Sequence, residues 1–273
     1  AVSPKLAKAL RVLVHVICFV LFAVLFHYSS LYCMKLKKTA TAMPIKMKYI
    51  YSCIPVSMLF MMIHALLMGI EEEEGGEGLE SKTTITINGG NFTFTTYDDC
   101  INAASVLTIN GGNLRCVATG NDAIDSNGSM AISGGLVLAN GSRDPEEGVD
   151  VDQASKLSIT GGTVINQKGN MLNLTTTQCK VPTIKYSSSI SAGTLITITT
   201  SSGQHIMSFK APQAMSQGCY ITLPEFTSGS SYKLYTGGSV SGGTAFNEVT
   251  KGGTFSGGTQ VKSFTISSNL TSL

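Results

Sequence analysis

Between Ile85 and Gly162 the chain repeats one pattern four times: an apolar residue, a small and mostly polar one, Ile, a polar residue, then Gly-Gly. The copies are Ile85-Thr86-Ile87-Asn88-Gly89-Gly90, Leu107-Thr108-Ile109-Asn110-Gly111-Gly112, Met130-Ala131-Ile132-Ser133-Gly134-Gly135 and Leu157-Ser158-Ile159-Thr160-Gly161-Gly162. Their first glycines fall 22, 23 and 27 residues apart. Apolar and polar alternation sets every second side chain on one face of a strand, and the glycines supply the positive φ of a sharp corner. A period in the low twenties that combines the two predicts a solenoid.

The register continues past the glycines. Two positions beyond each pair stands another apolar residue, Phe92, Leu114, Val137 or Val164. Before the next strand come Asp98-Asp99-Cys100-Ile101-Asn102, Asn121-Asp122-Ala123-Ile124-Asp125 and Glu146-Glu147-Gly148-Val149-Asp150. Stacked about 4.8 Å apart, the copies align one interior column of Ile87, Ile109, Ile132 and Ile159 and another of Ile101, Ile124 and Val149. Each inward Ile or Leu is worth roughly 1.5–3 kcal/mol of burial, enough for the ladder to hold its own shape. The expected fold is mainly β: a right-handed parallel β-helix with a β-rich C-terminal cap, preceded by an α-helical transmembrane hairpin.

The hairpin rests on residues 9–34 and 49–70, two apolar runs long enough to span a bilayer, joined by a segment with five Lys and Pro44. Three basic residues, Lys5, Lys8 and Arg11, precede the apolar core that begins at Val12, against five in the loop, so the lysine-rich loop is expected in the cytoplasm. The β-helix is then membrane-anchored and extracellular or periplasmic. Residues 71–79, rich in Glu and Gly, read as an acidic linker. Residues 80–170 are the parallel β-helix rungs. Residues 171–273 are C-terminal β-rich rungs and cap, with a hairpin turning at Ser201-Ser202-Gly203 and four late Gly-Gly pairs whose tight turns are expected to close the open end.

Charge sharpens this division. The net +2 conceals a half with eight Lys or Arg and no acid (residues 1–70) and a half holding all 17 acids, net −6. With three Arg and no Trp, nucleic acid is not an expected partner. The seven cysteines have no zinc or disulfide spacing and read as small buried apolar groups, with a Cys179–Cys219 pairing left open.

The acidic column carries the candidate chemistry. Carboxylates of Asp99, Asp122 and Glu147 on successive rungs would stand about 5 Å apart and repel by roughly 3–4 kcal/mol per pair at an effective dielectric of 20. Ca²⁺ held by oxygens of Asp98, Asp99, Asn102, Asn121, Asp122, Asp125, Glu146, Glu147, Asp150 and Asp152 would offset that. A hydrated acidic corner with Asx turns is the alternative, since no single EF-hand or nonapeptide motif is present. Candidate sugar contacts are Tyr97, Arg143 and Lys168, with Tyr186, Tyr220 and Tyr232 as further aromatic surfaces. Arg143 is the one candidate base for lyase chemistry. Arginines beside acids ordinarily pair with them, so no enzyme is expected.

Two resemblances add to this reading. Ala42-Met43-Pro44-Ile45 and Ile54-Pro55-Val56-Ser57-Met58-Leu59-Phe60-Met61-Met62 resemble the last two helices of the small membrane subunit of tripartite ATP-independent periplasmic (TRAP) transporters, which implies a membrane protein partner and a cytoplasmic C-terminal end. Residues 78–273 resemble the C-terminal part of the carbohydrate-binding β-helix proteins of bacterial cell surfaces. That likeness is carried by Gly78-Leu79-Glu80-Ser81-Lys82, Gly120-Asn121-Asp122-Ala123-Ile124-Asp125-Ser126-Asn127-Gly128, Pro145-Glu146-Glu147-Gly148-Val149-Asp150-Val151-Asp152-Gln153 and the tail Tyr235-Thr236-Gly237-Gly238-Ser239. It implies a fold related in shape to pectate lyases, calcium sites, and binding of plant-type or acidic polysaccharide without cleavage. Calcium-dependent binding of acidic polysaccharide is therefore the expected function. A TRAP-like membrane component with an appended β-helix and a ligand-free structural surface protein are the alternatives. Each resemblance lacks its family's N-terminal part, so a fusion or an incompletely determined sequence is a further expectation.

Overall fold

The structure, a computed structural model, describes residues 4–35, 56, 57, 59, 76–143, 145–167 and 173–273, with side chains in the first segment from Ile17 on, Cys18 excepted. The chain divides into two units, Ala1–Glu73 and Glu74–Leu273. In the first, α1 (Pro4–Lys35) coincides with the first expected span. Ile17, Val20, Leu21, Val24 and Tyr28 on it are exposed. The second span, residues 49–70, lies outside the described residues except for helical Val56, Ser57 and Leu59, as do the loop from residue 36 and most of the acidic linker. Among the described residues no helix is long and apolar enough to cross a membrane.

In the second unit four coils each give one strand to each of three parallel sheets. The first sheet is β1 (Leu79–Ser81), β4 (Ile101–Ala103), β7 (Ile124–Ser126) and β10 (Val149–Val151). The second is β2 (Thr84–Ile87), β5 (Val106–Ile109), β8 (Ser129–Ile132) and β11 (Leu157–Ile159). The third begins with β3 (Asn91–Thr96), β6 (Asn113–Ala118), β9 (Leu136–Asn140) and β12 (Thr163–Gln167). The repeat pairs as its spacing requires: Ile87, Ile109, Ile132 and Ile159 are in register and buried, and so are Ile101, Ile124 and Val149. Phe92, Leu114, Val137 and Val164 form the matching column of the third sheet. These side chains make one solenoid core.

The third sheet is covered on both sides, which explains why β9 reads as a continuous apolar run rather than an alternating one. Beyond β12 it continues into β16 (Cys219–Thr222), β13 (Thr183–Tyr186) and β23 (Leu270–Ser272), with β16 antiparallel to β12. Its outward Leu138 and Ile165 share a second core with Ile196, Met207, Phe209 and Leu234. Those belong to a six-stranded antiparallel sheet of β14 (Leu195–Thr200), β15 (His205–Lys210), β17 (Ser231–Thr236), β19 (Thr244–Phe246), β20 (Val249–Lys251) and β22 (Thr259–Thr265). A two-stranded ribbon, β18 (Ser239–Ser241) with β21 (Thr254–Ser256), accompanies it. The expected turn at Ser201-Ser202-Gly203 joins β14 to β15.

Of the strands flanking the late glycine pairs, β17, β20 and β22 thus pack into the core on the outer face of the third sheet. After the last coil, Leu174, Cys179 and Tyr220 extend the solenoid core. A bridge from Ile159 to Cys179 and a hydrogen bond from the Leu174 amide to the Tyr220 hydroxyl (3.2 Å) hold them. Cys179 and Cys219 do not pair: both are free, the first facing the solenoid core and the second the outer core, on opposite sides of the third sheet.

Candidate functional site

The corner between the third and first sheets gathers the acids. In each copy an inward Leu, Ile or Val fixes the strand, so its neighbours project outward and a middle column of Glu80, Asn102, Asp125 and Asp150 runs in register up the first sheet. Just before that column the carboxylates interlock with backbone. Asp99 Oδ1 accepts the Asp122 amide (3.1 Å), and Asp122 Oδ1 accepts the Glu147 amide (2.5 Å). Asn102 Nδ2 donates to Asp99 Oδ2 (2.9 Å) and Glu77 Oε1 (3.2 Å), and Asn121 Nδ2 donates to Asp98 Oδ1 (2.7 Å). Two successive coils therefore each donate an amide hydrogen bond to the acid of the coil before, which relieves part of the repulsion.

Burial, and after it the neighbouring charges, raises the proton affinity of these acids. Burial first, then the charges of Asp125 and Asp98, push Asp99 up to about 7. Burial pushes Asp122 up to about 8 against the Glu147 amide, with Asp150 adding to the rise. Burial and then Asp150 take Asp125 to about 6, and burial raises Asp150 as well. One carboxylate oxygen each from Asp122, Asp125 and Asp150 lie within 4.8 Å of one another. Three hard oxygen donors at that spacing could hold a divalent cation such as Ca²⁺.

The other expected ligands are placed as follows. Asp98, Asp99, Asn102 and Asn121 are occupied in the hydrogen bonds above. Glu147 is buried, and the Glu146 amide bonds to the Arg143 carbonyl in a turn. Asp152 pairs with Lys156 at 2.8 Å. Tyr97 is 52 % exposed beside Asp98, and its carbonyl accepts the Gly120 amide on the next coil. Exposed Arg143 follows Ser142, whose amide bonds to Asn121. Both residues thus adjoin the acidic corner through their backbone, while Lys168 lies outside the described residues. Tyr186, Tyr220 and Tyr232 are buried and offer no sugar surface. The Tyr220 hydroxyl is pushed up to about 12 by burial, and the Tyr232 hydroxyl donates to the Glu225 carbonyl. His205 meets Ser208 at 2.8 Å, but Ser208 is buried, so this pair presents no accessible nucleophile.

A second concave surface follows the glycine corner between the second and third sheets. A groove of about 830 Å³ runs over the pairs Gly89-Gly90, Gly111-Gly112 and Gly134-Gly135 and Gly162, flanked by Asn91, Asn113 and Thr163 and by Pro224, Thr244 and Lys251. Asn110 Nδ2 donates to Asn88 Oδ1 (2.8 Å), and the Ser133 hydroxyl donates to Asn110 Oδ1 (2.9 Å), forming a polar ladder along the corner. Lys251 is paired with Glu225 (2.7 Å) and bonded to the Thr163 hydroxyl (3.1 Å). Read from sequence, these glycines signal only a turn. That they align into an open furrow depends on the partner wall from β19 and β20, which no local pattern announces.

A family model described as carbohydrate-binding domain-containing protein matches residues 66–122 and 78–219, which include all four coils and the acidic corner. The chain belongs to this family. In this carbohydrate-binding domain-containing chain, residues 1–73 also match the model of the tripartite ATP-independent periplasmic transporters, DctQ component. No curated protein and no solved structure matches it.

Proposed function

We propose that the solenoid binds acidic polysaccharide through calcium at the corner formed by Asp122, Asp125 and Asp150, with Tyr97 and Arg143 beside it, and does not cleave its ligand. The observation that carries this reading is the coincidence of the carbohydrate-binding family match with three carboxylates whose oxygens lie within 4.8 Å. Calcium would join protein and uronate carboxylates that otherwise repel, leaving open coordination positions for sugar oxygens. The N-terminal unit serves as a membrane tether, with the solenoid on the extracellular or periplasmic side. The DctQ match supports the tether and equally favours a second reading, a membrane component that partners a larger transporter subunit.

Retention of the full chain on immobilised polygalacturonate, with calcium and with EDTA, tests the proposal. Retention in calcium that EDTA abolishes, and that Asp125→Asn with Asp150→Asn reduces at least tenfold, is the expected result. No retention in either condition overturns it, and co-purification with a multi-helix membrane protein instead favours the second reading. Retention that EDTA leaves intact but Gly89→Trp removes would move the sugar seat to the glycine groove.

A further inference from the structure

Inside the solenoid, at the acidic corner, each coil sets one residue of the first-sheet side against one of the third sheet. Two of these oppositions are measured by the space a Cβ would need. A Cβ on Gly78 would lie 2.7 Å from the Phe94 ring, and one on Gly148 would lie 2.6 Å from Asn166 Oδ1. Gly78, Cys100, Ala123 and Gly148 occupy one column, through the amide-to-carbonyl bonds Leu79 to Cys100 and Ile124 to Gly148 and the strand registers that follow. Phe94, Cys116, Ala139 and Asn166 occupy the other. The coils therefore oppose Gly to Phe, Cys to Cys, Ala to Ala and Gly to Asn. Where one partner is large the other has no side chain, and in the second coil the space is shared by two thiols.

Both cysteines are fully buried in the solenoid core and free. The Thr96 hydroxyl donates to the Asp98 carbonyl (2.6 Å), which leaves its oxygen to accept the Cys100 thiol (3.1 Å). A disulfide needs two Cβ atoms that face one another at short range, and the two columns set Cys100 and Cys116 against each other across one coil.

We propose that Cys100 and Cys116 are a disulfide-forming pair that closes the second coil into a covalent hoop when the chain folds in an oxidising compartment. The residues are 16 positions apart, so the hoop runs once around the solenoid through β4, β5 and β6. The oxidant is a small-molecule disulfide such as oxidised glutathione. A thiolate of one cysteine attacks it and releases one thiol, and the second cysteine's thiolate then displaces the mixed disulfide and releases the other. Two protons leave the protein, and the electron pair resides in the two reduced thiols formed. Burial in the finished coil places this exchange before or during coil closure. Cys179 and Cys219 face different cores and take no part.

The test is to refold the full chain from denaturant in a glutathione redox buffer and in reductant, then alkylate in denaturant and map peptides. In the redox buffer we expect a single cross-link between the Cys100 and Cys116 peptides, an intact mass lower by two hydrogen atoms, and alkylation of Cys179 and Cys219. The oxidised protein should melt about 6–12 °C above the reduced one. Cys100→Ala with Cys116→Ala recreates the Ala123–Ala139 opposition of the next coil, so it should fold and lose only the redox-dependent part of that shift. Folded protein with both thiols alkylated after oxidation, or a cross-link to any other cysteine, overturns the proposal.

Discussion

The glycine corner yields opposite outcomes for one substitution placed at two copies of the same motif. Gly89 lies in the first coil, where an added Cβ would meet nothing within 4 Å, and its backbone is not in the left-handed region. Gly134, two coils on, occupies the equivalent place, but its Cβ would sit 2.4 Å from the Asn110 carbonyl oxygen. Ala at position 89 only narrows the unfolded ensemble and should stabilise by about 0.4–1 kcal/mol. Ala at position 134 must push one coil off another by several tenths of an ångström. The adjacent rungs, Ser133 to Ile109 and Leu136 to Gly112 (both 2.8 Å), would lengthen. At about 0.5–1.5 kcal/mol for each weakened bond, Gly134→Ala should cost about 1–3 kcal/mol. For a unit of this size each kcal/mol moves the melting temperature by about 2–4 °C, so the variants should melt on opposite sides of the wild type. Calorimetry with urea unfolding as a cross-check measures both. Equal melting temperatures for the two variants would refute close backbone stacking as the reason for the glycines.

The acidic corner and the outer sheet give two further expectations. Because Asp99, Asp122 and Asp125 hold protons up to about 7, 8 and 6 in the fold, the folded chain binds more protons than the unfolded one above about pH 4. Stability in EDTA should therefore fall as pH rises from about 4 to 8 and then level off. Saturating calcium should restore it most at the upper end, where the ligands are ionised, and a melting temperature that rises with pH in EDTA would contradict this. Arg115 of β6 grips Glu248 through Nε and Nη2 at 2.7–2.9 Å with both side chains mostly buried, so Glu248→Gln should cost about 1–3 kcal/mol in urea unfolding. A change below about 0.5 kcal/mol would show the pair to be dispensable.

The interior columns were legible because they obey one repeat: Ile87, Ile109, Ile132 and Ile159 recur at a fixed offset from glycine and stack as that offset demands. So was the acidic corner, for the same reason. The closer selection of Asp122, Asp125 and Asp150 was not, because it depends on which outward column meets which corner residue across two coils. The outer sheet was illegible in position although its first hairpin was readable. A local pattern reports strand and turn, whereas docking onto Leu138 and Ile165 is a contact between distant segments. The tyrosines failed for a related reason: Tyr220 alternates in a strand whose two faces are both covered, so no polar side announces its burial.

The two layers also impose an order of assembly. Hydrogen bonds between neighbouring coils join residues 20 to 28 positions apart, whereas Arg115 and Glu248 are separated by 133 positions and Thr93 and Asn247 by 154. Short loops close at lower entropic cost, so coils can zip while the ribosome is still making the segment that will cover them. Until that segment arrives the nascent solenoid carries a bare strip headed by Leu138 and Ile165, and chains interrupted in this interval are the ones that chaperones must keep apart.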